Sequence, residues 1–422
     1  MEFKGIRLSD LKKEEVLFFI RIRGKASYFK NVYSLKFIEL FQSIREHRCI
    51  SEYKKNADVH INLNDIERGY LYEDEFNKFS ALTSLEEVIK RCRGLREIPY
   101  VEASALVYKA YLFFDRMYTA MPDLKIIVTG AIDNYVMDLM VRVGESKGIR
   151  FMGVTGSLMS PEYNLITVRG ECNDVGQVDS AEVTCFSQKI ITNTESRRVP
   201  KIKEVLFRGA RSLLSYYWRF TVRYLIRYKL MGNLGYEYRF APYLQGFYSM
   251  NQLLALRFLE GEAALKKKTS KLKAYIPLHW YPEATTDYWV NSLYHVDYLS
   301  SVMNTIVTLQ KKGYEVFAKE HPHFLLSRKS VFYEQLKNNG CTVLSPFVST
   351  KEVFNQVDLV VVWNGSTGIE ALLDGKKVLK VVNSYYGDDL VGDLNLNNDN
   401  VDSVNIADKC LEKVYRSSFR TR

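Results

Sequence analysis

The chain has 422 residues, 47% of them hydrophobic and 26% charged, which is enough for two domains with full cores and unlike a disordered or fibrous protein. Its six cysteines (Cys49, Cys92, Cys172, Cys185, Cys341 and Cys410) lie far apart with no CxxC pair, which argues against a disulfide framework or a zinc site and fits a reducing compartment. The net charge of +10 is uneven: residues 201–273 carry 15 Lys/Arg against 4 Asp/Glu, leaving the rest of the chain near neutral.

The opening, MEFKGIRLSDLKKEE, lacks the apolar core of a signal peptide, and no run of about 18 uninterrupted apolar residues occurs. A cytoplasmic protein without a membrane span is the expectation. In chain order, EVLFFIRI (Glu15–Ile22), VHINL (Val59–Leu63), LKIIVTG (Leu124–Gly130) and IRFMGVT (Ile149–Thr155) read as strands. Apolar periodicity predicts helices over Val32–Glu46, Ser84–Arg93, Glu102–Thr119 and Ile132–Lys147. Strands separated by helices imply a parallel sheet with right-handed crossovers. Residues 174–198 are polar and irregular, with weak strand character around Ala181–Phe186.

Long helical patterns follow, at Ile202–Met231 and Met250–Lys268, and KKKTSKLK (Lys266–Lys273) separates them from a second alternation. That alternation runs from AYIPLHW to near Val382 with the order β-α-β-α-β-α-β-α-β, a second Rossmann-like half. One more helix is predicted near Ser403–Arg416. The division read from the sequence is an N-terminal Rossmann-like domain (1–200), a basic aromatic helical region (201–273), a C-terminal Rossmann-like domain (274–400) and a tail (401–422).

Within the second half, YEVFAKE (Tyr314–Glu320) runs into His321-Pro322, and the buried-strand pattern LVVVW (Leu359–Trp363) stops at Asn364, Gly365, Ser366, Thr367 and Gly368 before a helix begins. Polar groups at the carboxyl ends of parallel strands stand where an open α/β sheet puts its ligand, and free N–H groups at a helix start favour an anion. His321 can contact a phosphate or give a proton to a leaving phosphate; otherwise it is a loop histidine before a turn-forming proline. His323 reads as packing or solvent-facing. The Gly-Ser-Thr-Gly turn suits phosphate contact through backbone and hydroxyls, alongside its plain role as a cap. Glu370, one turn on, either meets ribose hydroxyls or complements its helix. His279, Tyr281 and Glu283 alternate after the first strand and form either one wall of a cleft or a proline-fixed turn. No Asp-x-Asp stands in a suitable loop.

The blocks YIPLHWYPEATTDYW (Tyr275–Trp289), FAKEHP, LSPFVST (Leu344–Thr350) and WNGSTGIEALLDGKKVL, in this order and spacing, resemble the bacterial capsule and surface polysaccharide biosynthesis family, which includes transferases of the eight-carbon keto sugar acid Kdo. The resemblance spans Tyr275–Val382, with a looser likeness over Asp123–Arg150. It implies an α/β, GT-B glycosyltransferase with two Rossmann-like domains facing a central cleft, the N-terminal one on the acceptor side and the C-terminal one binding the nucleotide sugar, and no metal requirement, in line with the missing Asp-x-Asp. The His-Pro pair and Ser-rich turn also look like the motif pair of GT-B sialyltransferases, which use CMP-activated sugars. Carried onto this chain, the resemblance places His279, Glu283, Glu320, His321, Pro322, Asn364, Gly365, Ser366, Thr367, Gly368 and Glu370 around the donor. The chain departs from the family at Trp363 and Asn364, where smaller residues are usual. A base or nucleophile is expected from the N-terminal half: Asp133, after LKIIVTGAI, is the candidate, with Glu102, Asp138 and Glu145 behind it.

In the basic region, Arg211, Arg219, Arg223 and Arg227 share one helical face among aromatics, which suits an anionic inner-membrane surface and a lipid-linked or oligosaccharide acceptor. The plain alternative is an interdomain helix with solvated arginines. No nucleic-acid-binding motif accompanies the charge. The leading expectation is a membrane-peripheral glycosyltransferase using a CMP-linked keto sugar acid (Kdo or a nonulosonic acid), with no cofactor beyond that donor. A nucleoside-diphosphate-sugar transferase, a sugar-nucleotide epimerase, a glycerol- or ribitol-phosphate transferase and a non-catalytic assembly component are the alternatives.

Overall fold

The computed structural model describes residues 2–19, 23–41, 58–61, 63, 66–157, 162–173, 175, 250–281, 283–321, 324–325, 328–382, 385–386, 391–394 and 403–420, with isolated positions 183, 203–204, 207, 210–211 and 214. The chain divides into two units, one of Met1–Val183 with Lys413–Arg422, the other of Thr184–Glu412.

In the first unit β1 (Glu2–Phe3) and β2 (Ile6–Arg7) form a small antiparallel ribbon. The main sheet holds β3 (Val16–Phe19), β4 (Ile38–Phe41), β5 (Val59–His60), β6 (Ile126–Thr129) and β7 (Arg150–Gly156), all parallel, in the spatial order β5-β4-β3-β6-β7. At its far side β8 (Tyr163–Ile166) runs antiparallel to β7. Every residue of β3 (VLFF) and β6 (IIVT) is buried, as expected for central parallel strands covered on both faces. Helices Leu85–Arg91, Tyr100–Thr119 and Tyr135–Ser146 agree with the sequence reading.

The second unit carries β9 (Lys273–Pro277), β10 (Glu315–Lys319), β11 (Thr342–Leu344), β12 (Leu359–Val362), β13 (Lys377–Lys380) and β14 (Gly392–Asp393). All are parallel, in the order β11-β10-β9-β12-β13-β14. Counted within the unit this is 3-2-1-4-5-6, the doubly wound nucleotide-binding order. Its core joins Ala274, Ile276, Val316, Ala318, Val361 and Trp363 to the inward faces of Tyr298–Lys311 and Ser330–Asn338. The predicted pair of Rossmann-like α/β halves is therefore present, each with its own sheet. After helix Ser403–Arg416 the last strand, β15 (Ser418–Arg420), pairs antiparallel with β8, so the chain's end belongs to the first unit's sheet.

Two predicted helices are corrected. Within Val32–Glu46 the described residues form the end of helix Arg23–Tyr33 and then β4. Ser34 stops the helix at φ 51°, and the aromatic, β-branched run FIELF finds a parallel partner in β3. The apolar spacing of that run fits both periods, and tertiary pairing decides. The Met250–Lys268 segment forms 3-10 turns at Met250–Phe258 and Glu262–Ala264 in place of one α-helix. Between them Glu260 bridges to Leu344 at the sheet edge, its N–H donating to Val343 O at 2.8 Å. That pairing is incompatible with continuing the helix. Most of Ala181–Phe186 and of Ile202–Met231 lies outside the described residues. Among the described residues no helix is long and apolar enough to cross a membrane.

Candidate functional site

In the second sheet β9 and β12 are neighbours from which the chain leaves in opposite directions, so a crevice opens beyond their carboxyl ends. Leu278–Glu283 follows β9, Trp363–Gly368 follows β12, and Glu320-His321 follows β10.

His279 stands at the β9 end. Its backbone N–H donates to Tyr298 Oη at 2.6 Å, and its Nδ1 lies 3.3 Å from Trp280 O and 3.7 Å from Glu283 Oε2. Nε2 is buried on the side of the Asn364 backbone, whose hydrogen bond favours the protonated ring. That side of the ring lies against the β12 turn: a Cβ on Gly365 would stand 3.8 Å from Nε2. Burial holds the imidazole below its ordinary pKa, against Glu283, which favours the cation.

In the turn itself, Asn364 is 1% exposed, donates from Nδ2 to Thr285 O at 3.2 Å, and has a buried Oδ1 without a hydrogen bond. Ser366 precedes helix Thr367–Leu373 but makes no cap bond; its hydroxyl donates to Glu370 Oε1 at 3.2 Å. The N–H groups of Gly365, Ser366 and Thr367 donate to nothing among the described residues, whereas that of Gly368 is bonded to Gly365 O at 3.3 Å. Gly368 has a packing reason: a Cβ there would sit 2.0 Å from Tyr386 Oη. That hydroxyl donates to Gly365 O at 3.3 Å.

Glu320 is fully buried. Its Oε1 accepts the His321 N–H at 2.7 Å, and its Oε2 accepts Arg328 Nε at 2.7 Å and Tyr333 Oη at 2.6 Å. Both carboxylate oxygens are thus taken up by neighbouring groups of the fold. Arg328 Nη2 also donates to the His279 carbonyl. The guanidinium is packed among Tyr298, Phe324 and Phe332 at 4.7–5.6 Å from their ring centres. Burial opposes its charge, but Glu320 and two tyrosine oxygens outweigh that, and it stays a cation. Neither Arg328 nor Tyr333 carries a local motif; only the fold brings them here.

His321 is half-buried, its ring 5.8 Å from that of Trp280, which in turn lies 5.6 Å from Phe324. Trp280 is 44% exposed at this end of the sheet, and sequence reading passed over it. Glu283 accepts Thr285 Oγ1 at 2.8 Å and is otherwise open to Nδ1 of His279. Glu370 is buried. The last residue of β10, Lys319, is buried too and donates to Val348 O and Thr350 Oγ1 at 2.9 and 2.8 Å. Burial pushes its amine down to about 8, with Glu370 and Glu352 pulling the other way.

In the first unit Asp133 lies in the loop after β6, half-buried, and accepts Asn134 Nδ2 at 2.9 Å. Asp138 is buried and paired with Arg142 at 3.0 Å; Glu145 pairs with Arg169, also at 3.0 Å; Glu102 is exposed. Arg211 is an exposed helical position, while Arg219, Arg223, Arg227, Pro322 and His323 lie outside the described residues. Among the described residues no group of three or more His, Cys, Asp or Glu side chains is placed to hold a metal ion.

No protein-family model and no curated protein matches the sequence. Among solved structures the chain is similar to the beta Kdo 2,7 transferase of Thermosulfurimonas dismutans KpsC, at 11% identity over 95% of this chain and 89% of that one, with a TM-score of 0.39. The beta Kdo 2,4 transferase of the same KpsC matches at 11% identity over 69% and 79%, TM-score 0.31. UDP-GlcNAc 2-epimerase of Methanocaldococcus jannaschii matches at 9% over 87% and 83%, TM-score 0.24. The strand orders given above define the two α/β units independently of these superpositions.

Proposed function

We propose that the second unit binds the phosphate of a nucleotide-activated sugar between the β9 and β12 ends, and that the protein is a GT-B glycosyltransferase of capsule or surface polysaccharide synthesis. The observation that carries this reading is one juxtaposition at the sheet's reversal point. The buried His279 ring lies against a turn whose Gly365, Ser366 and Thr367 amides donate to nothing among the described residues. N–H groups without acceptors are costly where water is excluded, and a ligand phosphate supplies the acceptor. Trp280 beside His321 offers an exposed ring face to the rest of such a ligand.

The donor we favour is a CMP-linked 2-keto sugar acid, on the strength of the His-Pro and Gly-Ser-Thr-Gly motifs. Transfer then forms a bond from an acceptor hydroxyl oxygen to the anomeric carbon and breaks that carbon's bond to the CMP phosphate. The acceptor proton passes to a carboxylate, for which Asp133 is proposed. The leaving phosphate is stabilised by fixed N–H donors and by His321. A lipid-linked or glycan acceptor at an anionic membrane surface belongs to the same proposal, through Arg211, Arg219, Arg223 and Arg227.

Thermal denaturation with CMP, UDP and GDP tests the site, because a ligand of the folded state alone raises the melting temperature. A shift with CMP that disappears in His279→Ala and Ser366→Ala is expected. A UDP preference turns the reading toward a nucleoside-diphosphate-sugar transferase or epimerase. Equal melting temperatures with every nucleotide overturn the phosphate site.

A further inference from the structure

The two histidines of the site stand on neighbouring strand ends, β9 and β10, and neither backbone is held there by the sheet ladder alone. His279 follows β9, and its carbonyl accepts Arg328 Nη2. His321 follows β10, and its N–H donates to Glu320 Oε1 at 2.7 Å. Glu320 and Arg328 are bonded to each other at 2.7 Å with side chains 0% and 3% exposed, and Tyr333 Oη closes the set at 2.6 Å.

We propose that the Glu320–Arg328 pair, tied by Tyr333, is the positioning unit of the site: one buried strut that fixes the backbone under both histidines. A buried ion pair is weak evidence of stability, since removing its two charges from water costs as much as the attraction returns. Its geometry here is better explained by what it holds. The guanidinium reaches Glu320 Oε2 from Nε, while Nη2 is shared between Glu320 Oε1 at 3.4 Å and the His279 carbonyl, an arrangement that a lysine or an apolar pair cannot make. Of the carboxylate oxygens, Oε2 takes the fork and the phenol, and Oε1 takes the His321 amide and the far arm of the fork. A shift of either member moves His279 and His321 together, and with them the distance between a phosphate and its donors.

That this site binds a nucleotide is the reading given above; the strut itself is tested without it. The variant is Glu320→Gln/Arg328→Met, which removes both charges at once and leaves no unpaired buried ion. Side-chain 1H–15N spectra of the six histidines are recorded without ligand across pH. The groups facing the His279 ring are Glu283, Arg328 and Tyr298, with the uncharged Gly365 turn opposite. Loss of Arg328 removes a charge that opposes protonation of His279. The expected result is that His279 and His321 resonances move, His279 titrates at higher pH, and that of His295 stays. If the double variant does not fold, Arg328→Lys keeps the charge, loses the fork and is read in the same way. Unmoved His279 and His321 resonances in a folded variant overturn the proposal. Nucleotide-induced melting shifts, measured on the same samples, are expected to weaken at least tenfold in apparent affinity. Wild-type protein that binds no nucleotide removes the phosphate reading, while the histidine spectra still decide the strut.

Discussion

The two sheets share one central order, with strands 3-2-1-4-5 around a reversal point, yet they use the polar residues there differently. In the first unit Asn134, after β6, accepts the Met137 N–H at 3.0 Å as the cap of its own helix and donates to Asp133. In the second, Ser366 makes no cap bond and Asn364 keeps a buried unbonded oxygen, while in the first the only comparable strand-end atom described after β6 is the Thr129 hydroxyl, at the end of the strand itself. Topology alone makes a crevice in each sheet. What separates them is the helix start after the fourth strand, capped by Asn134 in the first sheet and by no side chain in the second. Groups held back in a buried place cost stability, and they persist in proteins where a ligand completes them.

The comparison breaks most visibly at Arg328. Replacing it alone, Arg328→Met, leaves Glu320 buried without its counter-ion, and the expected loss is about 3–5 kcal/mol. The loss belongs to the second unit: hydrogen exchange at β9 and β10 rises, while β3 and β6 of the first unit keep their protection. Equal loosening of both sheets would mean that the two units unfold as one and that the contrast has no energetic content.

A smaller and pH-dependent effect comes from Lys319, which ends β10 in a buried position where its first-unit counterparts are apolar. Its folded-state pKa of about 8 lies below the ordinary 10.5. Between these values the unfolded chain binds a proton that the folded chain has given up, so stability rises with pH through this window. Below about 8 the penalty is fully present. Against Lys319→Met, the wild type is expected to gain about 3 kcal/mol on passing from pH 7.5 to 10.5. Denaturant titrations of both proteins at several pH values measure it; parallel curves would show that the amine is solvated.

These residues also mark what the sequence could and could not disclose. Strands β6, β9, β10 and β12 were legible because each is a short apolar run ended by turn residues, and the Asn364–Gly368 turn because its chemistry is contiguous. Helix Ser403–Arg416 was legible from its period. Arg328 and Tyr333 were not, since LSRKSVFY carries no pattern and acquires meaning only when Glu320 is folded against it. The burial of Lys319 has no signal in the sequence, since a lysine is almost never fully buried. Trp280 was passed over between His279 and Tyr281, although it is exposed beside His321. The strand β4 hid in a helical period, and β15 could not be foreseen because its partner β8 lies far away in the chain.

The finest version of the comparison sets one cap against the other. Asn134→Ala removes an acceptor that the Met137 amide uses, and about 1 kcal/mol of stability is expected to go with it. Ser366→Ala removes a hydroxyl that serves Glu370 rather than the helix start, so the expected loss is within about 0.5 kcal/mol. Nucleotide binding should order the two variants the other way, with Ser366→Ala the weaker binder and Asn134→Ala unchanged. A residue that matters little to the fold and much to a ligand is withheld from the one for the other. If Ser366→Ala instead destabilised the protein as much as Asn134→Ala and bound nucleotide normally, the turn after β12 would be an ordinary helix start, and the two sheets would not differ in kind.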